Sequence, residues 1–253
     1  MIIIPLPAYV DNYIWVIINE SKHTLCAIDP GDALPVLNYL KNNELKLSNI
    51  LLTHHHADHA GGVLDLLQTY PDTTVYGPKD TRLPQVNHVV HDEEIIHIDA
   101  LAFRILNTPG HTSTHICYQE PTAGILFCGD TLFSAGCGRV FDGTMEALHQ
   151  SIHLLKHLPK DTKVFCGHEY TQQNLTFAAH VEPNNNTISS YLQHLQNNST
   201  PCSLPSTIAL EREINPFMRT DKPDIQAYAH AEGISSDDSL AVFRWLREMK
   251  NHF

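Results

Sequence analysis

What the chain lacks narrows its functions first. Basic side chains are scarce: 16 Lys and Arg stand against 28 Asp and Glu in 253 residues, a formal net charge of −12. Nucleic-acid binding draws on Lys and Arg to release phosphate counterions, so no nucleic-acid partner is expected, although a small basic pocket for an anion is allowed. No run approaches the roughly 18 apolar residues that a bilayer-spanning helix needs, so no membrane partner is expected either. The opening Met1-Ile2-Ile3-Ile4-Pro5-Leu6-Pro7 has neither a basic region nor a sustained apolar one. No secretory signal is expected, and the cytoplasm is the expected location. Six cysteines, at 26, 117, 128, 137, 166 and 202, form no Cys-x-x-Cys pair, which argues against zinc-ribbon and thioredoxin-like designs. An even count in a chain this long does not imply disulfides, and reduced thiols are expected. There is no internal repeat, and the asparagines at 184–186 are too few for a low-complexity segment.

What is abundant is histidine. There are 18, more than Lys and Arg together, in a chain whose apolar content of 42% is that of a folded globular protein. Short apolar runs bounded by Gly, Pro, Asn or Asp occur at 14–18, 25–28, 50–53, 74–76, 103–106, 125–128 and 164–166 and predict strands. Between them, Leu34, Leu37 and Leu40 predict one helix face; Val63, Leu66, Leu67 and Tyr70 another; Met145, Leu148, Ile152 and Leu155 a third. Strands mixed with helices imply packed α/β layers. Beyond Tyr170 the strand signal fades, and helices are predicted over 175–180, 188–195, 225–231 and 240–250, with a loop at 197–207. Ser235-Ser236-Asp237-Asp238 offers a cap for the last helix. The organisation read from this is an α/β domain over 1–170 and a smaller helical domain over 171–253.

The segment that carries chemistry is Thr53-His54-His55-His56-Ala57-Asp58-His59-Ala60-Gly61-Gly62. It lies between a strand run and a helical pattern. In a strand-to-helix loop, His54 and His56 project to one side as alternate residues do, and Asp58 and His59 follow one turn later. The glycines are expected to let the backbone bend sharply. An accidental histidine run would read the same in composition, but four ligand-type side chains at a strand end are the vocabulary of zinc and related metals. Other strand ends repeat the device: His111 follows 103–106, Asp130 follows 125–128 and His168 follows 164–166. Delivering single donors at several strand mouths is how a layered scaffold builds one rigid site.

With these residues the chain resembles the metallo-β-lactamase superfamily, and within it the type II glyoxalases, or hydroxyacylglutathione hydrolases. His54, His56, Asp58 and His59 match the signature His-x-His-x-Asp-His, and His111, Asp130 and His168 match the later ligand positions. Asp11-Asn12-Tyr13-Ile14-Trp15, Gly136-Cys137-Gly138-Arg139 and Asn215-Pro216-Phe217-Met218-Arg219 extend the likeness over essentially the whole chain. The resemblance implies a four-layered αβ/βα sandwich with a C-terminal α-helical domain. It implies two divalent ions, expected to be zinc, with iron or manganese also accepted by such donors. His54, His56 and His111 would hold one, Asp58, His59 and His168 the other, and Asp130 would bridge them. His55 is expected to have a structural hydrogen-bonding role.

The implied reaction is hydrolysis of the thioester S-D-lactoylglutathione to D-lactate and glutathione by a hydroxide held on both ions, the second step of methylglyoxal detoxification. Asp58 and Asp130 are the expected catalytic carboxylates. Arg247 and Lys250 lie three apart on the last helix and share a face. By position alone they could merely complement the helix dipole; by the resemblance they clamp the glycine carboxylate of glutathione. Tyr170 would bond the glutathione backbone, and Arg139 stands where many relatives carry Lys, an exchange that is not neutral in geometry. Phe141 replaces a Tyr of animal relatives, so it is assigned no polar contact. A monomer acting on a small S-acylglutathione is expected. Rival readings are a persulfide dioxygenase, a β-lactamase, a nuclease of the same superfamily, and a metal-storage or metal-sensing protein.

Overall fold

The computed structural model describes residues 2–198, 202–234 and 237–253. The chain forms two units, Met1–Asn107 with Thr114–Gly129, and Thr108–Ser113 with Asp130–Phe253.

In the first unit, strands β1 (Ile2–Ala8), β2 (Asn12–Asn19), β3 (Thr24–Ile28), β4 (Lys46–Leu51), β5 (Thr74–Gly77) and β6 (His88–Val89) form a mixed sheet in that order. β1, β2 and β3 run antiparallel; β3 to β6 run parallel, as strands joined by crossovers do. Helices α1 (Ala33–Asn42), α2 (Ala57–Ala60) and α3 (Val63–Thr69) lie in those crossovers. The apolar run of β2 is buried on both faces. β1 was not expected from the sequence, because Pro5 and Pro7 interrupt it. It is an edge strand, the place in a sheet where proline is tolerated. A second, antiparallel group follows: β7 (Ile95–Ile98), β8 (Leu101–Asn107), β9 (Ile116–Glu120) and β10 (Ile125–Gly129). Tyr118, fully buried on β9, donates its hydroxyl to the Leu52 carbonyl at 2.8 Å beyond the end of β4.

The buried face of α1 differs from the expected one. It is Ala33, Val36 and Leu40, while Leu34 is 61% exposed. Steps of three alone drift by about 60° each on a helix of 3.6 residues per turn, so 34, 37 and 40 do not stay on one stripe.

In the second unit, β11 (Leu132–Phe133) and β12 (Gly136–Cys137) make a tight hairpin, and β13 (Lys163–Cys166) pairs with β14 (Ser206–Thr207). Helix α4 (Met145–Lys156) buries Leu148, Ile152 and Leu155 as its periodicity predicts, and Thr144 caps it. The C-terminal helices are α5 (Thr171–Val181), α6 (Asn186–Asn197), α7 (Ile208–Ile214), α8 (Pro223–Ala231) and α9 (Ser239–His252), with a 3-10 turn at Pro216–Met218. Leu175, Ala178, Ile188 and Ile214 form a core among them. β14 and α7 fall where the sequence indicated a loop or nothing. Asp238 caps α9 by accepting from the Leu240 amide; the expected contribution of Ser235 and Ser236, and residues 199–201 of the expected loop, lie outside the described residues. Among the described residues no helix is long and apolar enough to cross a membrane.

Candidate metal centre

The first unit holds four of the seven expected ligands on the turn from β4 into α2. Their ring nitrogens are sorted by the hydrogen bonds around them. Asp29, at the end of β3, accepts from the Thr53 amide at 2.8 Å and the Thr53 hydroxyl at 2.6 Å. The Thr53 hydroxyl has thus spent its proton, so it accepts from His54 Nδ1 at 2.9 Å. Asp29 also accepts from His59 Nδ1 at 3.0 Å. In both histidines Nδ1 carries the proton, which leaves Nε2 with its lone pair for a cation, the usual arrangement behind a metal-bound imidazole. His54 and His59 are almost fully buried, with ring centroids 4.2 Å apart, and the His56 ring lies 4.7 Å from that of His54. Asp58 is held by Asn12, whose side-chain amide donates to Asp58 Oδ2 at 3.0 Å and to its backbone carbonyl at 3.3 Å. One donor atom each of Asp29, His54 and His59 lie within 4.8 Å of one another. The bonds just described make Asp29 the group that orients the histidines. His55 sits apart from this role, its Nδ1 3.7 Å from Asp80 Oδ2.

Gly62 acts differently from the expected bend. Gly61 and Gly62 both have ordinary right-handed helical φ, −62° and −81°. A Cβ on Gly62 would stand 2.4 Å from the Ala33 nitrogen, so glycine is needed there for close approach of two helix starts.

The second unit holds His111, Asp130 and His168. His111 Nδ1 donates to the Arg139 carbonyl at 2.7 Å, so Nε2 again carries the lone pair. Asp130 Oδ2 lies 3.5 Å from His111 Nε2 and 3.3 Å from His168 Nε2, so one carboxylate oxygen faces two imidazoles. All three residues are buried. Gly138 makes the approach possible: a Cβ there would be 2.1 Å from the Asp130 carbonyl and 2.9 Å from His111 Nδ1. The His168 ring stacks on Tyr170, centroids 4.7 Å apart and planes within 6°. Phe141 sits edge-on to His111 at 5.2 Å and is 65% exposed.

The expected substrate grip is also in the second unit. Arg247 on α9 is only 3% exposed. Its Nη1 donates to the Cys137 carbonyl at 2.7 Å, its guanidinium lies 5.2 Å from the Phe217 ring centroid, and its buried Nε has no hydrogen-bond partner among the described residues. Lys250 Nζ lies 5.3 Å from the Phe177 centroid and 5.5 Å from that of Phe253. Burial, and after it the charges of Arg247 and Arg139, hold the Lys250 ammonium below the usual lysine range. Three cations that repel one another, with a buried donor to spare, suit an anion. Arg139 itself is exposed and serves His111 through its carbonyl.

Asn12, Asp29 and Thr53 were not assigned from the sequence. Asp29 bore the same signal as the ligands, an acid at the end of an apolar strand run. Neutral imidazole nitrogens and carboxylate oxygens, each oriented by a bond behind it, fit divalent metal ions.

Family models match along the chain. One for the metallo-β-lactamase superfamily covers residues 12–168, and one for the hydroxyacylglutathione hydrolase C-terminus covers 169–253. The hydroxyacylglutathione hydrolase of Legionella pneumophila (strain Corby) is 53% identical over 253 residues, all of both chains. That of Chromohalobacter salexigens is 46% identical over 99% of each. Among solved structures, the BLEG-1 B3 metallo-β-lactamase has a TM-score of 0.64 at 26% identity, over 85% of this chain and 98% of that one. ETHE1 from Myxococcus xanthus has 0.60 at 26%, over 85% and 96%. The fold is thus that of the metallo-β-lactamases, with mixed sheets and helices and a C-terminal helical domain, and the chain belongs to the hydroxyacylglutathione hydrolase family.

Proposed function

We propose that this chain hydrolyses S-D-lactoylglutathione to D-lactate and glutathione, as a cytoplasmic monomer in methylglyoxal detoxification. The observation that carries the proposal is full-length identity of 45–53% to enzymes named hydroxyacylglutathione hydrolase. Six cysteines with no Cys-x-x-Cys pair, expected as reduced thiols, suit a reducing compartment. Residues 1–170 would form the catalytic domain and 171–253 the substrate-binding one, a division that the two family matches support.

His54, His56 and His111 would hold one divalent ion, Asp58, His59 and His168 a second, and Asp130 both, with zinc expected. When bound, such ions supply Lewis acidity and lower the pKa of water from about 15.7 toward roughly 7. The protein's share is orientation. Asp29 and Thr53 fix the tautomers of His54 and His59, and the Arg139 carbonyl fixes that of His111. Asp58, held by Asn12, would orient the attacking water. The new bond joins water oxygen to the thioester carbonyl carbon, and the C–S bond breaks. Glutathione leaves as a thiolate; with a thiol pKa near 8.5 it needs no dedicated acid. Arg247 and Lys250 would take the glycine carboxylate, Arg139 would offer a further donor, and Tyr170 would bond the peptide backbone.

The test is an assay of the purified protein with S-D-lactoylglutathione, beside elemental analysis of the same preparation. Thiol and lactate should appear in equal amounts, with about two metal equivalents per chain. Oxygen uptake with glutathione persulfide and no thioester loss would replace the hydrolase with a dioxygenase. A metal content that stays at one under excess would sink the binuclear assignment.

A further inference from the structure

The segment Asn215-Pro216-Phe217-Met218-Arg219 and the helix before it contain polar groups that the proposed chemistry does not use. Glu211, on α7, has no exposed surface. Its carboxylate accepts four hydrogen bonds: from the Ser134 hydroxyl at 2.9 Å, the Ala135 amide at 2.8 Å, Asn215 Nδ2 at 3.0 Å, and the Ser206 hydroxyl. Asn215, itself fully buried, donates further to the carbonyls of Phe133 at 3.2 Å and Gly136 at 2.9 Å. The two side chains thereby hold the turn between β11 and β12 at successive backbone groups. That turn needs holding, because Ala135 sits at φ 55°, a left-handed conformation that a residue with a Cβ rarely adopts. Burial pushes the Glu211 carboxyl up from the usual range, while its hydrogen bonds pull it down.

The turn starts at Phe133, three residues after Asp130. The Phe133 ring stands edge-on to His168 at 5.8 Å and to Tyr170 at 5.1 Å, centroid to centroid. It is a wedge against the stacked His168–Tyr170 pair. We propose that Glu211 and Asn215 are positioning residues for His168 and Tyr170, acting through the turn that carries Phe133. This rests on the assignment of His168 as a metal ligand and Tyr170 as a substrate contact. Neither Glu211 nor Asn215 is among the residues assigned to metal or substrate. They set the ring of one ligand and one binding side chain by fixing the backbone from which the wedge projects. An edge-to-face contact fixes orientation because the ring faces are negative and the edges positive.

Two variants read the device at its two ends. Glu211→Gln keeps the volume but replaces one accepting oxygen with an NH2 group, so either the Ala135 amide and Asn215 Nδ2 or the two serine hydroxyls lose their acceptor. Phe133→Leu keeps apolar bulk and removes the aromatic edge. The measurements are zinc affinity of the apoprotein by chelator competition, KM for the thioester, and the thermal midpoint of the apoprotein. Both variants are expected to weaken zinc binding by roughly 10-fold, the lower end for lost support behind a metal ligand, and to raise KM. Folded variants with wild-type zinc affinity and KM, whatever their thermal midpoints, would show a purely structural role and overturn the proposal. If Glu211→Gln does not fold, Phe133→Leu decides alone. His168→Ala separates the two levels: wild-type zinc binding by that variant removes His168 as a ligand and the positioning role with it.

Discussion

The two units supply their donors by opposite means. In the first, His54, His56, Asp58 and His59 come from six consecutive residues that run from the loop after β4 into α2, and their orienting partners Asp29 and Asn12 sit at neighbouring strand ends. In the second, His111, Asp130 and His168 come from three segments spread over more than fifty residues, drawn together by Gly138 passing between two of them and by backbone carbonyls. A local donor set is nearly guaranteed by its own spacing and asks the fold only for orientation. A distributed set asks the fold for placement as well, which is why the second unit spends two buried side chains, Glu211 and Asn215, on one four-residue turn.

The sharpest way to break this contrast is to remove the residue on which the distributed set converges. Asp130→Ala should abolish activity and lower metal content together. An active, fully metallated variant would show that the second unit does not depend on its shared carboxylate. The local set should respond more mildly to losing orientation alone. Asp29→Asn replaces one of two accepting oxygens with an NH2 group, which must face either the Thr53 amide or the Thr53 hydroxyl and His59 Nδ1, so metal affinity should fall by roughly 10- to 100-fold with the loop retained. No change in a metal titration would mean that backbone spacing suffices there. Arg247→Ala is expected to have the smallest effect, a several-fold rise in KM for the thioester at nearly constant kcat, because a remote clamp is largely uniform binding. A fall in kcat at unchanged KM would reassign Arg247 to holding the Cys137 segment to which it donates.

The same contrast explains what could be read from the sequence. The loop from His54 to His59 announced itself by spacing, and His111, Asp130 and His168 by their place after apolar runs. The superfamily and its fold followed from those residues. What stayed hidden were groups whose behaviour reverses their type. Glu211 went unassigned, and Arg247, though assigned to the substrate clamp, gave no sign of its burial; both are charged and look like surface residues, yet both are buried. Whether a charge is buried depends on partners tens of residues away, which no local pattern contains. α7 was missed for the same reason, since its buried face includes that glutamate. β14 is two residues long and exists only through its pairing with β13. Leu34 was misplaced by counting in threes where a helix needs threes and fours.

One feature of the first unit bears on how the protein behaves in a crowded solution. An edge strand ordinarily offers a row of free amides and carbonyls to any extended chain that meets it. In β1, Pro5 and Pro7 stand two apart, opposite Trp15 and Tyr13 of β2, so their nitrogens face one side. The register to β2 runs unbroken past both prolines, as it can where the missing donors face the open side. An incoming strand would find carbonyls there but no amides at two alternate positions, and a continuous ladder between two copies could not form. The residues that concealed β1 from the sequence are thus the ones that keep its outer edge from recruiting another chain.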